Sequence, residues 1–217
     1  MTDGLAGVLF DMDGLLVDTE PLWFETEIEV MARLGAPWTK EDQKQLLGGS
    51  MPRTVRYLLS KATRPAPPRD VERWMLEGML SRADAGRVAV FPGARELLAE
   101  VAAAGIPHAL VTSSLRRLAD AFLAGAGLVF PVLVTGDDVP VTKPDPAPYL
   151  LAAKLLDVDP ARCVALEDSP NGTASATAAG CRVVAVPSFV DISPAPGRLV
   201  VRSLRDVTMD TLRELAA

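Results

Sequence analysis

The chain has 217 residues, 49% hydrophobic and 23% charged, enough for one domain or one domain with a smaller insertion, and this composition excludes the disordered class. A net charge of −6 without a basic run argues against nucleic-acid or anionic-membrane binding. Two cysteines and one histidine exclude a disulfide framework and a His-cluster metal site, and leave a Ser-His-Asp triad only His108 as its base.

The opening residues lack a basic region, and their apolar run stops at Asp11 after four residues. No targeting segment is expected, and no apolar stretch approaches the ~18 residues of a membrane span. A soluble cytoplasmic protein is the expectation. Gly7–Phe10 is a short apolar run ending in carboxylates, the pattern of a parallel strand buried on both faces. Residues 16–88 then read as helix only. Phe24, Ile28, Met31 and Leu34 make a stripe ended by Gly35, Thr39 to Asp42 has the form of a capping box, and Val71, Trp74, Met75 and Met79 make a second stripe. All three tryptophans fall here, and Arg64 to Pro68 reads as a loop.

From residue 89 a strand–helix rhythm sets in. A helix is expected over 94–104, with Leu97, Leu98, Val101 and Ala102 inward and Gly105 as its stop. The strand Ala109–Val111 follows, then a helix over 115–124 with Leu115, Leu118, Ala119 and Phe122 on one face, then the strand Val132–Val134. Asp145-Pro146 forms an N-cap and first-turn pair for a helix to about Leu156. Strands Val164–Leu166, Val183–Val186 and, more weakly, Leu199–Val201 complete the set, and the small-residue run from Gly172 to Gly180 suits a helix packed close to a sheet. The expected fold is α/β, a doubly wound parallel sheet interrupted after its first strand by a helical insertion.

Open parallel sheets bind ligands at the carboxyl ends of their strands. Asp11 and Asp13 follow the first strand, Thr112, Ser113 and Ser114 the second, and Glu167 and Asp168 the fourth, with Lys143 just upstream in TKPDP. Taken singly, an Asp there is a turn or cap residue, Thr112 and Ser113 an N-cap, and Lys143 a solvated side chain. Together they place four carboxylates, hydroxyls and one lysine at one edge. Adjacent Glu167 and Asp168 repel without a cation. Mg²⁺ takes oxygen ligands and substrate phosphate oxygens; with Lys143 it returns +3 against −4 and lets a phosphate dianion approach. Phosphoryl transfer needs mainly positioning and charge neutralisation.

FDMDGLLVDTE, VTSS, KPDP and LEDSPNG together resemble the four motifs of the haloacid dehalogenase superfamily of phosphotransferases, in order and over nearly the whole chain. The helical insertion resembles the cap of its β-phosphoglucomutase-like branch. The resemblance implies a Rossmann-like catalytic core of residues 1–15 and 89–217 with a helical cap of residues 16–88. It implies Asp11 as nucleophile and Mg²⁺ ligand, forming an aspartyl-phosphate. Asp13 would give its backbone carbonyl to the metal, while its side chain protonates the leaving oxygen and then activates water. Thr112 and the Ser113 backbone N–H would bind the phosphoryl group, Lys143 would neutralise charge, and Asp168 and Glu167 would hold the metal, the latter directly or through water. An acid at Asp13 favours an alkoxide leaving group, hence phosphate esters over halides.

Two departures bear on the branch. The mutases carry a cap histidine in the stretch that here reads Glu20-Pro21-Leu22-Trp23, and an arginine directly after a Gly-x-Ser, where Gly48-Gly49-Ser50 is followed by Met51 and the nearest arginine is Arg53. Thr142 stands before Lys143 where the family commonly has Gly. The DTEPLW stretch resembles the sugar-phosphatase members. The expected function is a phosphatase acting on a small phosphorylated metabolite, probed by Glu20, Trp23, Gly49, Ser50 and Arg53. A monomer without nucleic-acid or membrane partners is expected. The alternatives are a sugar-phosphate mutase and a non-catalytic binding protein. His108, Cys163, Cys181 and the Asp137-Asp138 pair are expected to be structural.

Overall fold

The computed structural model describes residues 4–46, 50–188 and 190–217. The chain divides into two compact units, Met1–Asp18 with Ala89–Ala217, and Thr19–Val88. The first begins with strand β1 (Gly7–Phe10) and the two-residue β2 (Val17–Asp18). The second holds helices α1 (Glu20–Arg33), α2 (Lys40–Lys44), α3 (Met51–Lys61) and α4 (Pro68–Asp84). The chain then returns through β3 (Ala89–Val90), α5 (Ala94–Ala103), β4 (His108–Val111), α6 (Arg116–Ala126), β5 (Val132–Val134) and α7 (Ala147–Leu156). It ends with β6 (Cys163–Glu167), α8 (Pro170–Ala178), β7 (Arg182–Ala185), β8 (Arg198–Val200) and α9 (Met209–Ala216). No helix among the described residues is long and apolar enough to cross a membrane.

Six strands form one parallel sheet in the order β5-β4-β1-β6-β7-β8. Every residue of β1 and β6 is buried, as expected of central parallel strands covered on both faces. Side chains alternate along a strand, so Leu9 joins a cluster with Tyr149, Ala152, Ala165 and Ala176, while Val8 and Phe10, equally buried, face the opposite side. Helix α7 packs on β1, β4 and β5, and α8 on β6 and β7. The small residues Gly172, Ser175 and Ala176 are buried in α8, which brings that helix close to the sheet. Asp145 Oδ1 accepts the Ala147 N–H at 2.9 Å, so the expected capping residue serves α7, whose first helical residue is Ala147 rather than Pro146.

Residues 16–18 belong to the sheet-bearing unit, because Val17 and Asp18 pair antiparallel with Val90 and Ala89. Strands this short leave no sequence pattern. In the helical unit the capping box is present, with Thr39 as N-cap and Asp42 answering it. The stripe expected on α1 is rotated. Leu22, Thr26, Glu27, Val30 and Met31 are its buried residues, and Ile28 is 41% exposed. The cause lies on α4, where a Cβ on Gly78 would come within 2.6 Å of Thr26 Cγ2. The glycine opens a slot for Thr26, and seating it there turns Ile28 outward. Val30, Met31 and Leu34 pack with Val55, Leu58, Val71 and Met75 as this unit's core.

Candidate active site

The strand order reverses at β1, which is flanked by β4 on one side and β6 on the other. Their carboxyl ends meet at the switch point where α/β sheets bind ligands. Asp11 leaves β1 with its N–H donated to Leu166 O at 3.0 Å. Thr112 leaves β4 with its N–H donated to Val134 O at 2.9 Å. Glu167 is the last residue of β6, and Asp168 follows it. The ladder hydrogen bonds thus fix the height of each site residue above the sheet.

Lys143 is the hub. Its Nζ donates to Asp11 Oδ1 at 2.5 Å, Glu167 Oε1 at 2.6 Å and Val111 O at 2.8 Å, which uses all three ammonium protons. Burial works against its charge, but Asp11 and Glu167 outweigh that and hold its pKa above the usual lysine range. Burial pushes Glu167 up to about 7, with Lys143 opposing and Asp11 adding to the rise. Burial, then the charges of Asp11 and Glu167, push Asp168 up to about 8, against a 2.6 Å hydrogen bond from Ser188. Asp13 Oδ2 accepts from Thr112 Oγ1 at 3.2 Å and Ser114 Oγ at 2.8 Å, and Thr112 Oγ1 accepts the Ser114 N–H at 3.0 Å.

Two glycines make room for the carboxylates. Gly14 turns with φ +84°, and a Cβ there would lie 2.1 Å from Asp168 Oδ2. A Cβ on Gly172 would lie 1.8 Å from Glu167 Oε2. Asp11, Glu167 and Asp168 are all buried, and each offers one oxygen within 4.8 Å of the others. Three buried carboxylates against one lysine leave uncompensated negative charge, which adds to the burial that raises the pKa values of Glu167 and Asp168. An all-oxygen set with a charge deficit fits a hard divalent cation such as Mg²⁺.

The core residues expected from the sequence are thus brought together: Asp11, Asp13, Thr112, Lys143, Glu167 and Asp168. Ser113 is exposed beside Thr112. The residues expected to read the substrate lie in the helical unit. Glu20 opens α1 and accepts Gln43 Nε2 at both its carbonyl (3.0 Å) and its carboxylate (3.2 Å). Trp23 packs partly on that unit's core. Ser50 precedes α3, its side chain making no capping bond, and Arg53 Nη2 donates to Gln45 O at 2.6 Å. Gly49 lies outside the described residues.

Sequence reading missed Ser114, Tyr149 and Ser188 as partners of the acids. Ser114 stood in VTSS at the expected sheet edge without an assigned partner, and Tyr149, six residues after Lys143, lies on a helix whose apolar pattern reads as core. His108 Nδ1 lies 2.9 Å from Ile106 O, Asp138 caps Thr135 and pairs with Arg116 at 2.6 Å, and both cysteines are buried and free.

A profile described as haloacid dehalogenase-like hydrolase matches residues 8–186. Hexitol phosphatase B of Escherichia coli (strain K12) is 34% identical over 218 residues, covering 98% of this chain and 95% of that protein. Phosphorylated carbohydrates phosphatase of Thermotoga maritima is 35% identical over 189 residues, covering 81% and 82%. A crystal structure of a CbbY mutant from Rhodobacter sphaeroides in complex with xylulose-(1,5)bisphosphate superposes with a TM-score of 0.85 at 31% identity, covering 96% of this chain and 99% of that one.

Proposed function

The chain belongs to the haloacid dehalogenase-like hydrolases, and on that premise we propose that it is a Mg²⁺-dependent phosphatase that hydrolyses a sugar phosphate through an aspartyl-phosphate on Asp11. Relatives named as phosphatases of phosphorylated sugars make it a phosphoric monoester hydrolase. The observation that carries the finer reading is Lys143 bridging Asp11 and Glu167, with Asp168 alongside, at the strand-order reversal.

Asp11 attacks phosphorus, which splits one hard displacement into two easier ones. Lys143 stabilises charge shared between Asp11 and the incoming phosphoryl oxygens. Thr112 and the Ser113 N–H hold those oxygens. Asp13 gives a proton to the departing sugar oxygen and then takes one from the attacking water. Mg²⁺ would be held by Asp11, the Asp13 backbone carbonyl, Glu167 and Asp168, and when bound it neutralises phosphoryl charge. Residues 19–88, the helical unit, are proposed as the cap that discriminates leaving groups, with Glu20, Trp23, Gly49, Ser50 and Arg53 as the reading edge.

The test is phosphate release from a panel of sugar phosphates with and without Mg²⁺. Release that needs Mg²⁺, prefers sugar esters and disappears in Asp11→Asn supports the proposal. Isomerised sugar phosphate without net release would make the protein a mutase. Binding without any turnover would make it a binding protein.

A further inference from the structure

We propose that Tyr149 is a positioning residue that fixes how Glu167 divides its carboxylate between Lys143 and the metal. The inference rests on the proposed metal-dependent function and adds to it a residue outside the four motifs. Glu167 has no solvent exposure, so both of its oxygens depend on donors inside the protein. Lys143 gives Oε1 one proton at 2.6 Å, and its other two are committed to Asp11 and the Val111 carbonyl. The lysine therefore cannot make a second bond to Glu167. The Tyr149 hydroxyl, itself fully buried on the first turn of α7, makes that second bond, also to Oε1.

With two donors, one of them charged, Oε1 is saturated. Among the described residues Oε2 has only the Ser169 hydroxyl at 3.4 Å, a weak contact. Gly172 lies directly against the carboxylate and limits its tilt. The hydrogen bonding therefore leaves Oε2, not Oε1, with lone pairs to spare for a cation shared with Asp11 and Asp168. The Tyr149 ring also backs the ammonium, with Lys143 Nζ 5.2 Å from its centroid, a favourable cation–π arrangement. One side chain thus braces the lysine through its ring and the glutamate through its hydroxyl. Without the hydroxyl, a single bond to Lys143 acts as an axle about which the carboxylate turns, and Oε2 loses its aim. Losing a partner that orients a metal ligand typically weakens metal affinity about 10–100-fold.

The experiment measures Mn²⁺ binding to substrate-free protein by electron paramagnetic resonance, for wild type, Tyr149→Phe, Glu167→Gln and the double variant. Tyr149→Phe keeps the ring and removes only the hydroxyl; Tyr149→Leu, which removes both braces, is measured if the phenylalanine variant does not fold, and wild-type affinity there would equally overturn the role. The expected result is a Kd at least about tenfold weaker in Tyr149→Phe, with no further weakening when Tyr149→Phe is added to Glu167→Gln. Wild-type affinity in Tyr149→Phe, or equal losses in both backgrounds, would overturn the positioning role and leave the phosphatase proposal standing. Absence of Mn²⁺ binding by the wild type would overturn both.

Discussion

Gly172→Ala sets two physical effects against each other and predicts which wins. Gly172 is the third residue of α8 and does not adopt a left-handed conformation. Helix propensity alone therefore predicts that alanine stabilises the protein by about 1 kcal/mol. A Cβ at this position, however, would lie 1.8 Å from Glu167 Oε2 and 2.0 Å from its Cδ. Ordinary contact begins near 3.4 Å, so the carboxylate or the helix must move by about 1.6 Å. The carboxylate cannot yield freely, because Lys143 and Tyr149 hold its other oxygen. Breaking a buried ion pair costs roughly 3–5 kcal/mol, which exceeds the propensity gain and leaves a net loss of about 2–4 kcal/mol. For a chain of this size each kcal/mol moves Tm by about 2–4 °C, so a fall of roughly 4–16 °C is expected. Differential scanning calorimetry on metal-free protein measures it, and titration of phosphate release with Mg²⁺ should show a weakened metal requirement curve in the same variant. A Tm equal to or above that of wild type, with an unchanged Mg²⁺ curve, would refute the packing of Glu167 on Gly172.

Glu27 in the helical unit is buried and receives Trp38 Nε1 at 2.9 Å; burial raises its pKa from 4.5 to about 7, the Trp38 bond opposing and Glu20 adding to the rise. Between those values only the folded state holds the proton, so stability falls as pH rises through the window and is level above it. At 1.36 kcal/mol per unit the loss is at most about 3 kcal/mol, and Glu27→Gln, which keeps an acceptor for Trp38, should remove it from the difference between the two pH–stability curves by urea denaturation; parallel curves would contradict this. Lys143→Ala leaves Asp11 and Glu167 facing each other without a cation and should cost roughly 3–5 kcal/mol along with phosphatase activity, whereas a change under about 1 kcal/mol would show that Lys143 is not the hub. Arg53→Ala and Trp23→Ala should reorder the substrate panel more than they slow a minimal aryl phosphate; equal losses on every substrate would assign them to folding of the helical unit.

The central strands were legible because parallel strands buried on both faces read as unbroken apolar runs, and β1 and β6 do so. The acids were legible because each follows a strand directly, so the chain itself carries them to the sheet edge. Tyr149 and Ser188 were not, since their roles depend on side-chain direction across the fold rather than on adjacency to a strand end. On α1 the apolar pattern misled. The buried face includes Thr26 and Glu27, one seated against Gly78 and the other satisfied by Trp38, and neither partner is visible from the periodicity of α1 alone. Strands β2 and β3, two residues each, are shorter than any periodic signal.

The most direct test of Asp11 as the nucleophile is a crystal structure of the protein soaked with beryllium fluoride and Mg²⁺, in which the trifluoroberyllate stands in for a phosphoryl group on a carboxylate. The account predicts beryllium bonded to an Asp11 oxygen, with fluorines contacted by Lys143 and Thr112. Trifluoroberyllate bonded to any other side chain, or excluded from Asp11 in protein that fluoride and beryllium inhibit, would contradict it.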